Sequence, residues 1–361
     1  MDINIELVEK QLKNKIKSTN QVNKQGKTSI CLYDFFCINS IKICEKIKET
    51  PNLLNKHYII NNYSLISLGE VSERIYHYNQ NNQNNQNNPN NTNNINKYVL
   101  LEYNDLKYIE FNDFLFNLPN PKLFIFHILD SYSILLNNLS SLEQIGISYL
   151  NISTKNIIFG ENYKPMLRNF ETSLLVEKCA DISYFIKMME KIENYTYKPL
   201  EIHVIFYLIK NNENSLSFSA IDSICNNFVK NIHILSLFSK QYKEAYYKLS
   251  MECLKKYINK PKNEIITEIL QYSNTWDNYE LSILYLHIIG NLQRVFSLKA
   301  TLINKLTNIL SKNIGPDPLK RETLTNSIEK YNNLFYEFTD WSYINSIPKE
   351  KMEKLYETLF K

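Results

Sequence analysis

The stretch from Tyr149 to Glu171 constrains the fold most tightly. Tyr149-Leu150-Asn151-Ile152-Ser153-Thr154-Lys155-Asn156 is turn-like, and Ile157-Ile158-Phe159 is a short, fully apolar run. Gly160 to Lys164 is a polar reversal, and Pro165-Met166-Leu167-Arg168-Asn169 is a second run ending at Asn169. Two short apolar runs around a polar reversal predict a β-hairpin. Closing that hairpin brings the loops at its open end together, so Asn156 and Asn169 are expected side by side.

The rest of the chain sets the bounds. Its 361 residues, 44% hydrophobic and 22% charged, suffice for one large domain or two small ones. The net charge of +4 is small for this length, and no basic block stands out. A nucleic-acid partner is therefore not expected. Six cysteines (Cys31, Cys37, Cys44, Cys179, Cys225, Cys253) occur without a C-x-x-C spacing, the pattern of reduced, mostly buried thiols in a cytosolic protein. Met1-Asp2-Ile3-Asn4 opens a polar segment and not a signal peptide. The longest apolar stretch, Leu123 to Leu139, carries His127, Asp130 and Asn137, so it reads as a buried helix and not a membrane span. The expectation is a soluble, cytoplasmic protein. Heavy use of Asn, Lys, Ile and Tyr with only 6 glycines points to an AT-rich coding sequence.

Along the chain, Glu6 to Lys17 carries a thin apolar set. Gly26-Lys27-Thr28 lacks the earlier glycine of a phosphate-binding loop, because Gln21 stands there. Tyr33 to Thr50 reads as a helix with Ile38, Ile41, Ile43 and Ile47 on its apolar face, ended by Pro51. His57 to Ile60, Ser64 to Leu68 and Tyr98 to Leu101 read as strands. Asn79 to Asn96 is almost pure Asn and Gln and cannot bury apolar surface, so it is expected to be a disordered insertion between two strands. Glu102 to Asp105 is turn-like, and Phe111 to Leu118 is a short helix punctuated by Pro119 and Pro121.

The hairpin region resembles the catalytic loop and metal-binding segment of eukaryotic-type protein kinases, H-R-D-L-x-x-x-N followed by D-F-G. In that alignment Asn151 stands at the catalytic base, Asn156 at the loop asparagine, Asn169 at the metal aspartate and Phe170 at the phenylalanine. Leu150 replaces the arginine and Glu171 the glycine. Three further stretches resemble family marks. Pro199-Leu200-Glu201 resembles A-P-E. Trp276-Asp277-Asn278-Tyr279, opening the apolar run Leu281 to Ile289, resembles a large-lobe helix with its leading aspartate. Asp317-Pro318-Leu319-Lys320-Arg321 resembles D-P-x-x-R. The resemblance implies a buried ion pair of Glu201 with Arg321. It makes residues 38–49 the αC helix with Glu45 as a candidate ion-pair residue, residues 123–139 the αE helix, and Glu102 with Tyr103 the nucleotide-contacting hinge.

The implied fold is α+β and protein-kinase-like, with a reduced β-containing small lobe and a mostly α-helical large lobe. The implied boundaries are a polar segment at 1–32, a small lobe at 33–104 with the insertion 79–96, a large lobe at 105–335 and a helical tail at 336–361 anchored by Trp341. Glu201 and Asp277 are far apart for the family, so a helical insertion is expected at about 205–272, with helices at Ile221 to Phe228, Tyr242 to Tyr257 and Glu264 to Tyr272. The resemblance covers residues 33–335 and is specific only around 149–171. The arrangement is similar to divergent kinase-like proteins of large DNA viruses, which would place the protein in a host cytoplasm.

The departures decide the expected function. No G-x-G-x-x-G and no V-A-I-K occurs, and Lys27 is the only basic residue just before a short apolar run. Asn151 can hydrogen-bond but cannot accept a proton at neutral pH. Asn156 and Asn169 offer neutral carbonyls where Mg²⁺ favours carboxylate. Glu171 is a substitute metal ligand to consider. The expectation is a pseudokinase acting as a binding scaffold or regulator, with protein partners, no nucleic acid or membrane partner, and no cofactor unless a site for ATP and Mg²⁺ is retained. Two alternatives stand beside it: a weakly active divergent serine/threonine kinase, and a non-kinase helical interaction module whose asparagines are turn residues.

Overall fold

The computed structural model describes residues 28–51, 53, 58–59, 62–66, 98–102, 107–116, 118, 120–160, 163–192, 195–295, 301–337 and 355. Lys27, Tyr103, the Asn79 to Asn96 tract, Trp341 and the final helix expected near the end of the chain lie outside these residues. The described chain is α+β and mostly helical.

Strands β1 (Thr28–Leu32), β2 (Asn62–Ile66) and β3 (Tyr98–Glu102) form an antiparallel sheet in the order β1-β3-β2. Ser29 and Tyr63 both pair with Leu101, one on each side of the central strand. Helix α1 (Phe35–Lys48) follows β1. It begins two residues later than the hydrophobic pattern predicts because Asp34 caps it, accepting from the Cys37 amide at 2.8 Å. Ile43 and Ile47 on its apolar face are fully buried. The strand expected at His57 to Ile60 is described only at Tyr58 and Ile59. Tyr58 forms a single parallel bridge with Leu167, and the Ile59 amide donates to the Leu167 carbonyl at 2.9 Å.

The hairpin forms from β6 (Ile157–Phe159) and β7 (Pro165–Leu167), with Ile158 opposite Met166. Strand β4 (Ile109–Glu110) pairs with the other side of β6. A separate two-stranded ladder joins β5 (Ile147–Ser148) to β8 (Leu174–Leu175). Between β4 and β5 lie helices α2 (Phe111–Phe116) and α3 (Pro121–Gln144). Helix α3 extends beyond the apolar run at both ends. Asn120 caps it and Pro121 occupies the first turn, where a missing N–H costs nothing. Gly146, at φ 73°, follows its C-terminus and turns the chain into β5.

The remaining helices are α4 (Ile182–Glu190), α5 (Leu200–Lys210), α6 (Phe218–Asn231), α7 (Lys240–Lys255), α8 (Lys262–Leu270), α9 (Trp276–Val295), α10 (Leu302–Asn313) and α11 (Leu324–Glu337). Three helices thus stand where the sequence places them between Ser217 and Leu270. Helix α9 is the centre of this part. Trp276 through Ile283 are all buried, so its first two turns have no solvent face, and a helix buried all round must sit inside others. Helices α3, α10 and the short turn His233–Leu237 pack against it. Asn278 on it is satisfied internally: its Nδ2 donates to the Glu322 carbonyl at 2.7 Å and to Ser327 Oγ at 2.8 Å. Among the described residues no helix is long and apolar enough to cross a membrane.

Candidate functional site

The loops at the open end of the hairpin meet over the first turn of α9. The loop leaving β5 hangs from two carboxylates there. Asp277 accepts the Tyr149 amide at 2.7 Å on one oxygen and the Leu150 amide at 2.6 Å on the other. Glu280, one helical turn on, accepts the Ile152 amide at 3.0 Å and the Lys198 ammonium at 2.8 Å. Lys198 also donates to the Leu150 carbonyl at 2.8 Å. Four of these bonds fix a short backbone segment from both its N–H and C=O sides, and the fifth ties Lys198 to Glu280. They also hold Leu150 at φ 46°, a left-handed conformation that a branched side chain resists.

The electrostatics follow from burial. Asp277 and Glu280 are both buried and lie three residues apart on one helix face. Burial and then the Glu280 charge push the Asp277 carboxyl up to about 7, against the pull of the two amide donors. Burial raises Glu280 as well, and the Lys198 ammonium opposes it. Lys198 is therefore the cation that makes two adjacent buried acids tolerable.

Above this support, Asn151, Asn156 and Asn169 form a closed set of hydrogen bonds. Asn156 Nδ2 donates to the Asn151 carbonyl at 3.0 Å. Asn169 Nδ2 donates to Asn156 Oδ1 at 2.7 Å, and Asn151 Nδ2 donates to the Asn169 carbonyl at 2.9 Å. The backbone carbonyls fix the direction of the chain. The Asn151 carbonyl requires an N–H from Asn156, which turns Asn156 Oδ1 toward Asn169 and requires an N–H there too. Asn169 sits at φ 64°, a backbone position that asparagine tolerates better than most residues. The Tyr149 hydroxyl closes the hairpin mouth from below, donating to the Arg168 carbonyl at 2.5 Å.

Phe170 is buried, with its ring 5.4 Å from Tyr149 and 6.2 Å from Tyr58, both edge-on. Glu171 is exposed. Glu45 is exposed on α1. The tie from α1 to these loops is instead Asn39, which donates to the Ser173 carbonyl at 2.8 Å and accepts from the Tyr184 hydroxyl at 2.8 Å. Ser173 Oγ in turn donates to the Tyr149 carbonyl at 2.8 Å. Glu102 ends β3, its backbone paired with Thr28 and Asn62. Farther out, Glu201 Oε2 and Arg321 Nη2 lie 2.5 Å apart with both side chains buried. Arg321 also donates to the Gly315 carbonyl at 2.8 Å, while Glu201 Oε1 has no hydrogen-bond partner.

Lys198, Glu280, Asn39 and Ser173 were not singled out by the sequence reading. Two of them carried a signal. Glu280 is an acid three residues after Asp277 on a helix otherwise apolar at that face. Asn39 is a polar residue four before Ile43, on the buried side of α1.

Among the described residues no group of three or more His, Cys, Asp or Glu side chains is placed to hold a metal ion. The donors at Asn156 and Asn169 do not fit Mg²⁺ either. Neither is a carboxylate, and Asn156 Oδ1 already accepts from a neighbouring N–H.

No protein-family profile and no curated protein matches the sequence. Among solved structures it is similar to the LegK7 effector kinase of Legionella pneumophila, at a TM-score of 0.38 and 12% identity. The match covers 74% of this chain and 49% of that one, so the chain spans about half the length of that protein.

Proposed function

We propose that the chain is a protein-kinase-like domain that has lost phosphoryl transfer and works by binding: a pseudokinase scaffold or regulator with a protein partner. One observation carries the reading. Asn169 Nδ2 donates to Asn156 Oδ1 at 2.7 Å. At the corresponding positions a kinase sets an aspartate and an asparagine, both turning oxygens to Mg²⁺. Here the oxygen that would face the metal is consumed by an amide of its own neighbour. A site that needs two anionic or oxygen donors has two neutral amides, and the Asn156 oxygen is already bonded.

The other positions agree with this. Asn151 donates its amide to the Asn169 carbonyl and offers no basic group to a substrate hydroxyl. The exposed Glu45 leaves α1 without the acidic anchor that an active kinase pairs with its lysine. The supports under the loop are nevertheless in place, the Asp277 clasp and the Lys198 and Glu280 pair, with the buried Glu201 and Arg321 pair farther out. A scaffold kept rigid while its charge is removed fits binding better than catalysis. Direct assay tests the reading. Purified protein incubated with ATP, Mg²⁺ and general protein substrates is expected to transfer no phosphate, and Mg²⁺ is expected not to strengthen nucleotide binding.

A further inference from the structure

Helix α3 leaves one stripe of its surface open. Lys122, Phe126 and Asp130 recur at four-residue spacing, so they stand one above another on one face, about 6 Å apart along the axis. Lys122 is exposed and Asp130 half-buried. Phe126 is 58% exposed, and Leu123 beside it 37%. The hairpin tip widens this apolar patch. Tyr163 is 50% exposed, and its ring lies 5.4 Å from the His127 ring, itself 5.4 Å from Phe126. Tyr163 keeps this place at φ 56°, a left-handed backbone that a bulky residue resists. Burial lowers the His127 imidazole against the pull of the Asp130 charge, so His127 joins the patch uncharged at neutral pH.

Single exposed apolar residues are ordinary, whereas a contiguous aromatic patch with a polar rim marks an interaction surface. The rim decides the partner. Lys122 and Lys164 supply cations, Asp113 and Asp130 acids, so neither a wholly acidic nor a wholly basic partner fits. The order along α3 is cation, aromatic, acid. Turning that stripe end over end about Phe126 sets Lys122 against Asp130 and Asp130 against Lys122. A two-fold interface requires this self-complementarity, because the same patch serves on both sides. Among the described residues neither Lys122 nor Asp130 is held in a salt bridge, so both charges are open to such a contact.

We propose that this stripe of α3 is the contact surface for a second copy of the chain, the two α3 helices crossing antiparallel at Phe126 with Lys122 of each facing Asp130 of the other. Leu123 and Tyr163 extend the apolar centre. The inference rests on the stripe and is independent of the asparagine site.

Sedimentation of the full chain over a range of concentrations tests it. The wild type should show a reversible monomer–dimer equilibrium. Phe126→Ser, at an exposed position, should abolish the dimer with an unchanged circular dichroism spectrum. Lys122→Glu sets like charges against each other twice and should weaken the dimer by about tenfold or more. Adding Asp130→Lys to Lys122→Glu restores opposite charges and should recover the dimer. If Asp130→Lys disturbs the fold, cross-linking carries the same expectation: Phe126→Cys should form a covalent dimer on mild oxidation, and Asn137→Cys, farther along α3, should not. A chain that is monomeric at every concentration would overturn the proposal and leave the patch to a different protein. A dimer indifferent to Phe126→Ser, or equal cross-linking from both cysteine variants, would overturn it as well.

Discussion

At Asn169 a single amide N–H decides the chemistry of the cleft. Replacing it with aspartate removes the donor to Asn156 Oδ1 and sets a carboxylate against that oxygen. Asn169→Asp should therefore lose about 0.5–1.5 kcal/mol of stability without metal. Asn151→Asp combined with Asn169→Asp should become stabilised by millimolar Mg²⁺ in a thermal melt, where the wild type is not. A wild-type melt that shifts equally with Mg²⁺ would mean that another ligand, Glu171 first, already serves the metal. Glu201 and Arg321 allow a second test at this scale. Both side chains are buried at 2.5 Å, so removing either strands a charge and should cost about 3–5 kcal/mol. The double replacement should cost less than the sum of the two. Small, additive losses in a double-mutant cycle would contradict a buried pair. His203 gives a pH signature. Burial pushes its imidazole down to about 4, whereas an unfolded histidine titrates near 6.5. Its contribution is full above pH 6.5 and is lost as pH falls through about 4, with a slope approaching about 1.4 kcal/mol per unit. Asp277, pushed up to about 7, acts in the opposite sense, its contribution being present below 3.8 and lost as pH rises through 7. Comparing wild type with His203→Gln cancels Asp277, and the loss of Tm between pH 6.5 and 4.5 should be smaller in the variant.

Helix α9 organises the elements, because its first turn carries the acids from which the loop after β5 hangs. Asp277→Ala should free that loop. Hydrogen exchange at the Tyr149 and Leu150 amides should accelerate well beyond that of the α9 core amides, since both amides donate to the Asp277 carboxylate. Unchanged protection of those two amides would show that the loop holds its shape without the clasp. The hairpin and helices such as α3, α6, α7 and α9 were readable from apolar periodicity, because long amphipathic or uniformly apolar segments leave few other solutions. Their ends were less readable, since they depend on caps such as Asp34 and Asn120, which look like any other turn residue in sequence. The short ladder of Ile147–Ser148 with Leu174–Leu175 left no pattern, because two residues are too few to show alternation.

Across the molecule, proximity of residues distant in sequence was legible only where a motif carried it. Asn156 and Asn169 are joined by a hairpin, so their meeting follows from local geometry. Lys198 reaches Glu280 across 82 positions and Asn39 reaches Ser173 across 134, and neither pairing has a local cause. The structure puts these long-range polar bonds beneath and beside the asparagine set, where they hold its loops in place. The central claim is that this cleft transfers no phosphate. Radiolabelled ATP with Mg²⁺, wild-type protein and the Asn156→Ala variant measured side by side test it most directly. The account predicts that both give the same background incorporation. ATP-dependent phosphorylation by the wild type that disappears in Asn156→Ala would contradict it.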